Sequence, residues 1–145
     1  MERINLIKNC CLAGGGISAA SQLLMSCDAI YYASVTKSEN LFSLEKSEFM
    51  KGEPKENKFR KYVLIKEANL PFPICVYRIN EEEYHASLMK CTHNGCELIP
   101  GGEIFTCPCH GAEFSNQGKV LTGPAEEDLQ VFKTTFDKNN VYVHF

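Results

Sequence analysis

From residue 60 onward, apolar and polar positions change in short runs rather than with a helical period. Tyr62–Lys66, Ile74–Ile79, Tyr84–Lys90, Glu103–Cys107, Val120–Thr122, Leu129–Phe136 and Val141–Phe145 read as strands. Turn-forming segments part them: Asn69-Leu70-Pro71, Asn80 to Glu83, Pro100-Gly101-Gly102 and Asp137 to Asn140. A further strand is expected near Phe42–Phe49. Closely spaced strands with no helical periodicity imply an all-β domain over residues 60–145, of sandwich or small-barrel type. Upstream the pattern changes. From Thr36 to Phe59, ten of 24 residues are charged with mixed sign, and Gly52-Glu53-Pro54 interrupts the stretch. Residues 28–59 are therefore expected to form a tether and the edge of the domain.

Residues 1–27 differ again. Arg3 and Lys8 make a short positive end, and Cys10 to Met25 is uncharged and rich in small residues. That is the composition of an export leader, with an uncleaved N-terminal membrane anchor as the alternative. Leu24-Met25-Ser26-Cys27 resembles a bacterial lipobox, which makes Cys27 the candidate lipid-bearing residue. Met25 stands where a small or β-branched residue is usual. The segment Arg3 to Lys8 resembles a twin-arginine signal whose second arginine is Ile4.

Composition narrows the classes. The 145 residues carry 15 Lys plus Arg against 18 Asp plus Glu, a net charge of -3 with no basic block. This argues against a nucleic-acid platform. With 44% hydrophobic residues, the bulk is ordinary globular protein of one domain's length. The eight cysteines are clumped: 10, 11 and 27, then 75 alone, then 91, 96, 107 and 109. Clumping points to separate roles rather than to one disulfide scaffold.

Two segments carry the chemistry: Cys91-Thr92-His93-Asn94-Gly95-Cys96 and Cys107-Pro108-Cys109-His110-Gly111. Each offers one thiolate and one imidazole at short spacing, Cys91 with His93 and Cys107 with His110. The ten residues between Cys96 and Cys107 include Pro100-Gly101-Gly102, so a short hairpin can bring the segments face to face. Such a Cys2His2 set suits tetrahedral zinc. A zinc finger, however, usually pairs its cysteines on one knuckle and its histidines on a helix, and here each segment mixes them.

The two boxes resemble the cluster-binding loops of the Rieske iron–sulfur family, in the branch found in quinol–cytochrome c oxidoreductases. The resemblance covers roughly residues 60–145. It implies an antiparallel β-sandwich of small sheets with a two-loop cluster-binding subdomain, holding one 2Fe-2S cluster. Cys91 and Cys107 would bind the inner iron, and His93 and His110 the outer one. In that branch a second cysteine pair bridges the loops, which implies a Cys96–Cys109 disulfide; two free thiols are the alternative. A disulfide needs an oxidising compartment, in keeping with export. Gly123-Pro124-Ala125 resembles the family's proline-containing third loop, which covers the cluster, and otherwise reads as a plain turn.

What the resemblance implies about function is electron transfer, with no catalytic residue of the chain's own. The chain would be the iron–sulfur subunit of a membrane quinol-oxidising complex, an oxidoreductase component. Its expected place is the periplasmic face of a bacterial inner membrane. Its partners would be quinol and cytochromes of b and c type, with no nucleic acid. The alternatives are a stand-alone periplasmic Rieske lipoprotein and a ferredoxin component of an oxygenase. High-potential members carry a serine after Cys-His-Gly and a tyrosine two positions on; this chain has Ala112 and Phe114. Fewer hydroxyl donors imply a potential in the lower half of the family's span of about -150 to +300 mV. His85 and His144 read as ordinary strand residues, Cys75 as a buried thiol, and Glu81 to Glu83 as a solvated turn.

Overall fold

The computed structural model describes residues 30–52 and 54–145. Cys10, Cys11, Cys27 and the whole expected leader lie outside the described residues. Among the described residues thirteen strands follow one another. The first seven are β1 (Val35–Ser38), β2 (Leu41–Glu45), β3 (Met50–Lys51), β4 (Lys58–Phe59), β5 (Tyr62–Ile65), β6 (Ile74–Arg78) and β7 (Tyr84–Leu88). The remainder are β8 (Ile99–Pro100), β9 (Ile104–Thr106), β10 (Glu113–Ser115), β11 (Val120–Thr122), β12 (Val131–Phe136) and β13 (Asn140–His144). No α-helix occurs among the described residues, and none of their helices is long and apolar enough to cross a membrane.

Seven strands form one antiparallel sheet in the order β1-β2-β13-β12-β7-β6-β5. Its ends meet where Tyr32 bridges Leu64: Leu64 N–H donates to the Tyr31 carbonyl (2.9 Å) and Ala33 N–H to the Leu64 carbonyl (2.8 Å). The sheet thus curls round a core of Phe42, Leu44, Val63, Ile65, Ile74, Val76, Ala86, Val141 and Val143. These occupy alternate positions on their strands, as one buried sheet face requires.

On β5 and β6 the intervening residues are buried too. Leu64, Cys75 and Tyr77 point the other way, into a second core with Met89, Leu98, Phe105 and Phe114. Burial on both faces explains why these strands read as unbroken apolar runs. The second core belongs to a smaller meander, β11-β10-β9-β8. Phe105 and Phe114 pair across it, and Tyr77 meets Phe105 edge to face at 5.3 Å. The Tyr77 hydroxyl donates to the Gly101 and Ile104 carbonyls (2.8 and 3.2 Å), which satisfies a buried polar group and fastens the meander to β6.

The stretch expected as a tether is substantially part of the domain. β1 and β2 complete the large sheet, and Met50–Lys51 pairs with Lys58–Phe59. Within the span expected as a strand, only Leu41–Glu45 is extended; Lys46–Phe49 is a 3-10 turn that buries Phe49. Charges dominate here because β1 exposes one edge of the sheet, so few of its side chains enter the core.

A glycine joins the two parts. Gly118, at φ +81°, follows β10, and its N–H donates to the Ser115 carbonyl (2.8 Å). A Cβ built there would lie 2.9 Å from Val131 Cγ1 and 3.2 Å from Ser87 Oγ. Gly118→Ala is therefore expected to lose about 2 kcal/mol, from left-handed backbone strain and overpacking together. Denaturant unfolding measures this, and an unchanged midpoint would refute the tight approach.

Candidate metal centre

The meander carries two loops at one end, residues 91–96 after β7 and residues 107–112 between β9 and β10. They have the same backbone. In the first, Cys91 N–H donates to the Cys96 carbonyl (2.8 Å) and Gly95 N–H to the Cys91 carbonyl (2.8 Å). In the second, Cys107 N–H donates to the Ala112 carbonyl (2.8 Å) and Gly111 N–H to the Cys107 carbonyl (2.9 Å). Gly95 and Gly111 hold the matching left-handed position, at φ +73° and +75°. Glycine suits this turn because a Cβ is disfavoured there.

Each loop folds back over the sulfur of its first cysteine. Backbone N–H groups of His93 and Asn94 point at Cys91 Sγ, and those of Cys109 and His110 at Cys107 Sγ. Both cysteines are 1% exposed, and the two sulfurs share a hydrogen bond. Desolvation pushes the Cys91 thiol up. Cys107 feels the same burial, yet the N–H of Cys109, the Cys91 thiol and the N–H of His110 bring it below the usual thiol value. The donors thus favour negative charge on Cys107 while burial disfavours it on Cys91, and a bound cation would displace the shared proton.

His93 and His110 lie on the exposed side of these sulfurs. Their rings meet edge to face with centroids 5.1 Å apart. Although His93 is two residues after its cysteine and His110 three, the facing loops bring both rings together. All four expected ligand residues therefore converge at one end of the meander, thiols inward and imidazoles outward.

Cys96 and Cys109 form a disulfide, one sulfur from each loop, with Cα atoms 6.5 Å apart. Cys107 Sγ lies within 4.8 Å of both disulfide sulfurs. Those two sulfurs are committed to each other, so Cys91 and Cys107 are the thiols left to bind a cation here.

A third segment packs beside the two loops. Gly123-Pro124 is a cis peptide, and Ala125 and Leu129 are buried in the same core as Cys91 and Cys107. Thr92 Oγ1 donates to the Glu127 carbonyl (2.6 Å), which ties the first loop to this segment. Asp128 accepts from Val120 N–H (2.9 Å) and pairs with Lys119 (2.7 Å). Sequence reasoning missed Thr92 and Asp128. Neither residue type signals a brace without knowing which strands it spans.

The other candidates lie elsewhere. His85 pairs with Glu83 (3.0 Å), and His144 Nε2 contacts Thr135 Oγ1 (2.9 Å). Cys75 is fully buried, and burial drives its thiol well up.

The chain matches the family model of the Rieske [2Fe-2S] domain over residues 42–133, more than half its length. It belongs to the Rieske family. The match starts within β2, so the family's domain includes strands upstream of residue 60. Among similar proteins is a cytochrome b6-f complex iron–sulfur subunit from Synechococcus sp. (strain JA-2-3B'a(2-13)). It is 44% identical over 54 residues, which is 35% of this chain and 31% of that protein. The chloroplastic subunit of the same name from Triticum aestivum is 43% identical over 54 residues, covering 35% and 24%. The chain thus spans less than a third of these relatives' length.

Among solved structures, the plasma membrane Rieske protein PetC3 from Synechocystis PCC 6803 aligns with a TM-score of 0.51 at 38% identity. The alignment covers 59% of this chain and 87% of that one.

A [2Fe-2S] cluster is the cofactor of this Rieske domain, and the donor set fits it. Two buried sulfurs ringed by N–H donors suit an anionic cluster edge, and two exposed imidazoles suit an iron facing solvent. The arrangement is also unlike a closed structural zinc site, where the ligands usually surround the ion inside the fold.

Proposed function

We propose that this Rieske protein transfers single electrons from a membrane quinol to a c-type haem, on the exported face of the inner membrane. Cys91 and Cys107 would hold the inner iron, and His93 and His110 the outer one. The observation that carries this is the pair of exposed imidazoles, 5.1 Å apart, set beside two buried thiols. When bound, the cluster takes up and returns one electron at a time. The rest falls to the chain. With one ring nitrogen on iron, each histidine would keep the other for protons, and that nitrogen, when deprotonated, could accept a hydrogen bond from a quinol hydroxyl and take its proton. The loops' N–H groups stabilise negative charge on the sulfurs, and the disulfide and the 123–129 segment hold the loops in place.

Two readings of the assembly follow from the relatives. Similarity to cytochrome b6-f subunits supports membership of a quinol-oxidising complex. The likeness to a protein described as a plasma membrane Rieske protein, with no complex in that description, favours a second reading, a small protein acting on its own and delivering electrons to another exported redox enzyme. Purification from the native membrane decides between them. A b-type cytochrome co-purifying with the chain supports the complex; the chain alone, with its cluster, supports the second reading.

Ala112 and Phe114 are fully buried beside the second loop and bring no hydroxyl. A donor there stabilises the more negative reduced cluster. Ala112→Ser is therefore expected to raise the midpoint potential, by about 40 mV for about 1 kcal/mol of preferential hydrogen bonding. Phe114→Tyr is expected to act in the same direction. Redox titration reads both, and a high midpoint unmoved by either change would contradict the assignment.

A further inference from the structure

Three of the exposed large apolar residues gather in one place. Ile30, Tyr32 and Ile99 are 56%, 48% and 54% exposed, and with the buried Leu64 and Pro100 and the exposed Glu97 they line a groove of about 200 Å3. Two other exposed rings have a cation closer than Tyr32 does: Arg78 lies over Phe59 (4.2 Å) and Lys46 over Phe136 (4.8 Å). Tyr32 sits at the rim with Lys66 Nζ 5.9 Å from its ring centre, the pairing of aromatic and cationic groups that suits a lipid–water boundary.

The chain is fixed where it leaves this groove. Tyr31 donates its hydroxyl to Glu48 (2.9 Å), stacks under the Arg60 guanidinium (3.9 Å) and accepts from Leu64 N–H (2.9 Å). Ser34 N–H also donates to Glu48 (3.0 Å). Only four residue steps separate Tyr31 from Cys27, a reach of about 14 Å at full extension. The uncharged segment Cys10 to Met25 lies just beyond. With Cys27 bearing lipid, or with the segment retained as an anchor, the chain entering the domain would start from the lipid surface.

We propose that the groove face formed by Ile30, Tyr32 and Ile99 rests on the phospholipid bilayer, so that the domain is held against the membrane. This rests on the reading of residues 1–27 as an export leader or anchor. A bilayer surface, rather than the leader itself, is the occupant common to both forms, since a cleaved leader is absent and a retained one is within the membrane.

The chain has no Trp, so a single introduced Trp reports its own position. Ile99→Trp and, separately, Phe136→Trp are placed in the full chain, which is then reconstituted into phosphatidylethanolamine–phosphatidylglycerol vesicles. Brominated acyl chains should abolish much of the emission of the residue-99 probe and leave the residue-136 probe unchanged. Aqueous iodide should do the reverse. Ile30→Trp, across the groove, repeats the measurement should Ile99→Trp misfold. Vesicle-bound protein whose groove probes are quenched by iodide alone overturns the contact while leaving the anchor intact. Protein that stays in the supernatant overturns the anchor reading, and the contact with it.

Discussion

Replacing Cys107 by serine, or His110 by alanine, is expected to reduce bound iron from about two atoms per chain to nearly none, with loss of the visible colour. The first change removes an inner sulfur that four features converge on: burial, two backbone N–H donors and the Cys91 thiol. No neighbouring thiol can replace it, because Cys96 and Cys109 are bonded to each other and Cys75 lies buried outside both loops. The second change removes one of only two imidazoles at this end. The seven-stranded sheet has its own core, so far-ultraviolet circular dichroism should retain its strand signal in both variants. His85→Ala and His144→Ala are matched controls, since their rings contact Glu83 and Thr135, not the loops. Iron retained in the Cys107 or His110 variants, or lost equally in the controls, would contradict the ligand assignment.

The second large effect concerns the clamp. Cys96 and Cys109 are 13 residues apart in sequence and join the two loops. Opening this loop by Cys96→Ser with Cys109→Ser is expected to cost about 3 kcal/mol, mainly through the freedom gained by the unfolded chain. For a domain of this size that lowers the melting temperature by roughly 10 °C. The loops also lose the link that keeps the two histidine rings together, so iron should leave the double variant faster on exposure to a chelator. Thermal unfolding and chelator kinetics measure the two consequences. A melting temperature and iron release both unchanged would show that the loops are held by their backbone hydrogen bonds and by Thr92 alone.

The site was more legible in the sequence than the scaffold. Cys91, His93, Cys107 and His110 stand within short local motifs, so their chemistry shows without knowledge of the fold. The disulfide was readable only through the family resemblance, which implies a bridge between Cys96 and Cys109, one from each loop. Hidden from sequence was the shared backbone of the loops. Their histidines occupy different offsets, two and three after cysteine, and only the matched hydrogen bonds reveal the repeat.

The scaffold was harder to read where strands are short or owe their existence to partners. Glu113-Phe114-Ser115 has no strand signature of its own and is extended because it pairs with Ile104–Thr106. Val35–Ser38 looks like linker by charge, yet pairing with β2 makes it sheet; Leu41–Glu45, only partly covered by the strand expected near Phe42–Phe49, is held by β13 and by burial of Phe42 and Leu44. In contrast, β5 and β6 were plain, since burial on both faces writes their apolar character into every position.

The central claim is that this chain holds a [2Fe-2S] cluster through two thiolates and two imidazoles. Pulsed electron paramagnetic resonance on the reduced full chain, paired with metal analysis, tests it most directly. The account predicts roughly two irons per chain and a rhombic signal with hyperfine coupling to two histidine nitrogens, both lost in Cys107→Ser. Zinc in place of iron, or an iron–sulfur signal with no nitrogen coupling, would contradict it.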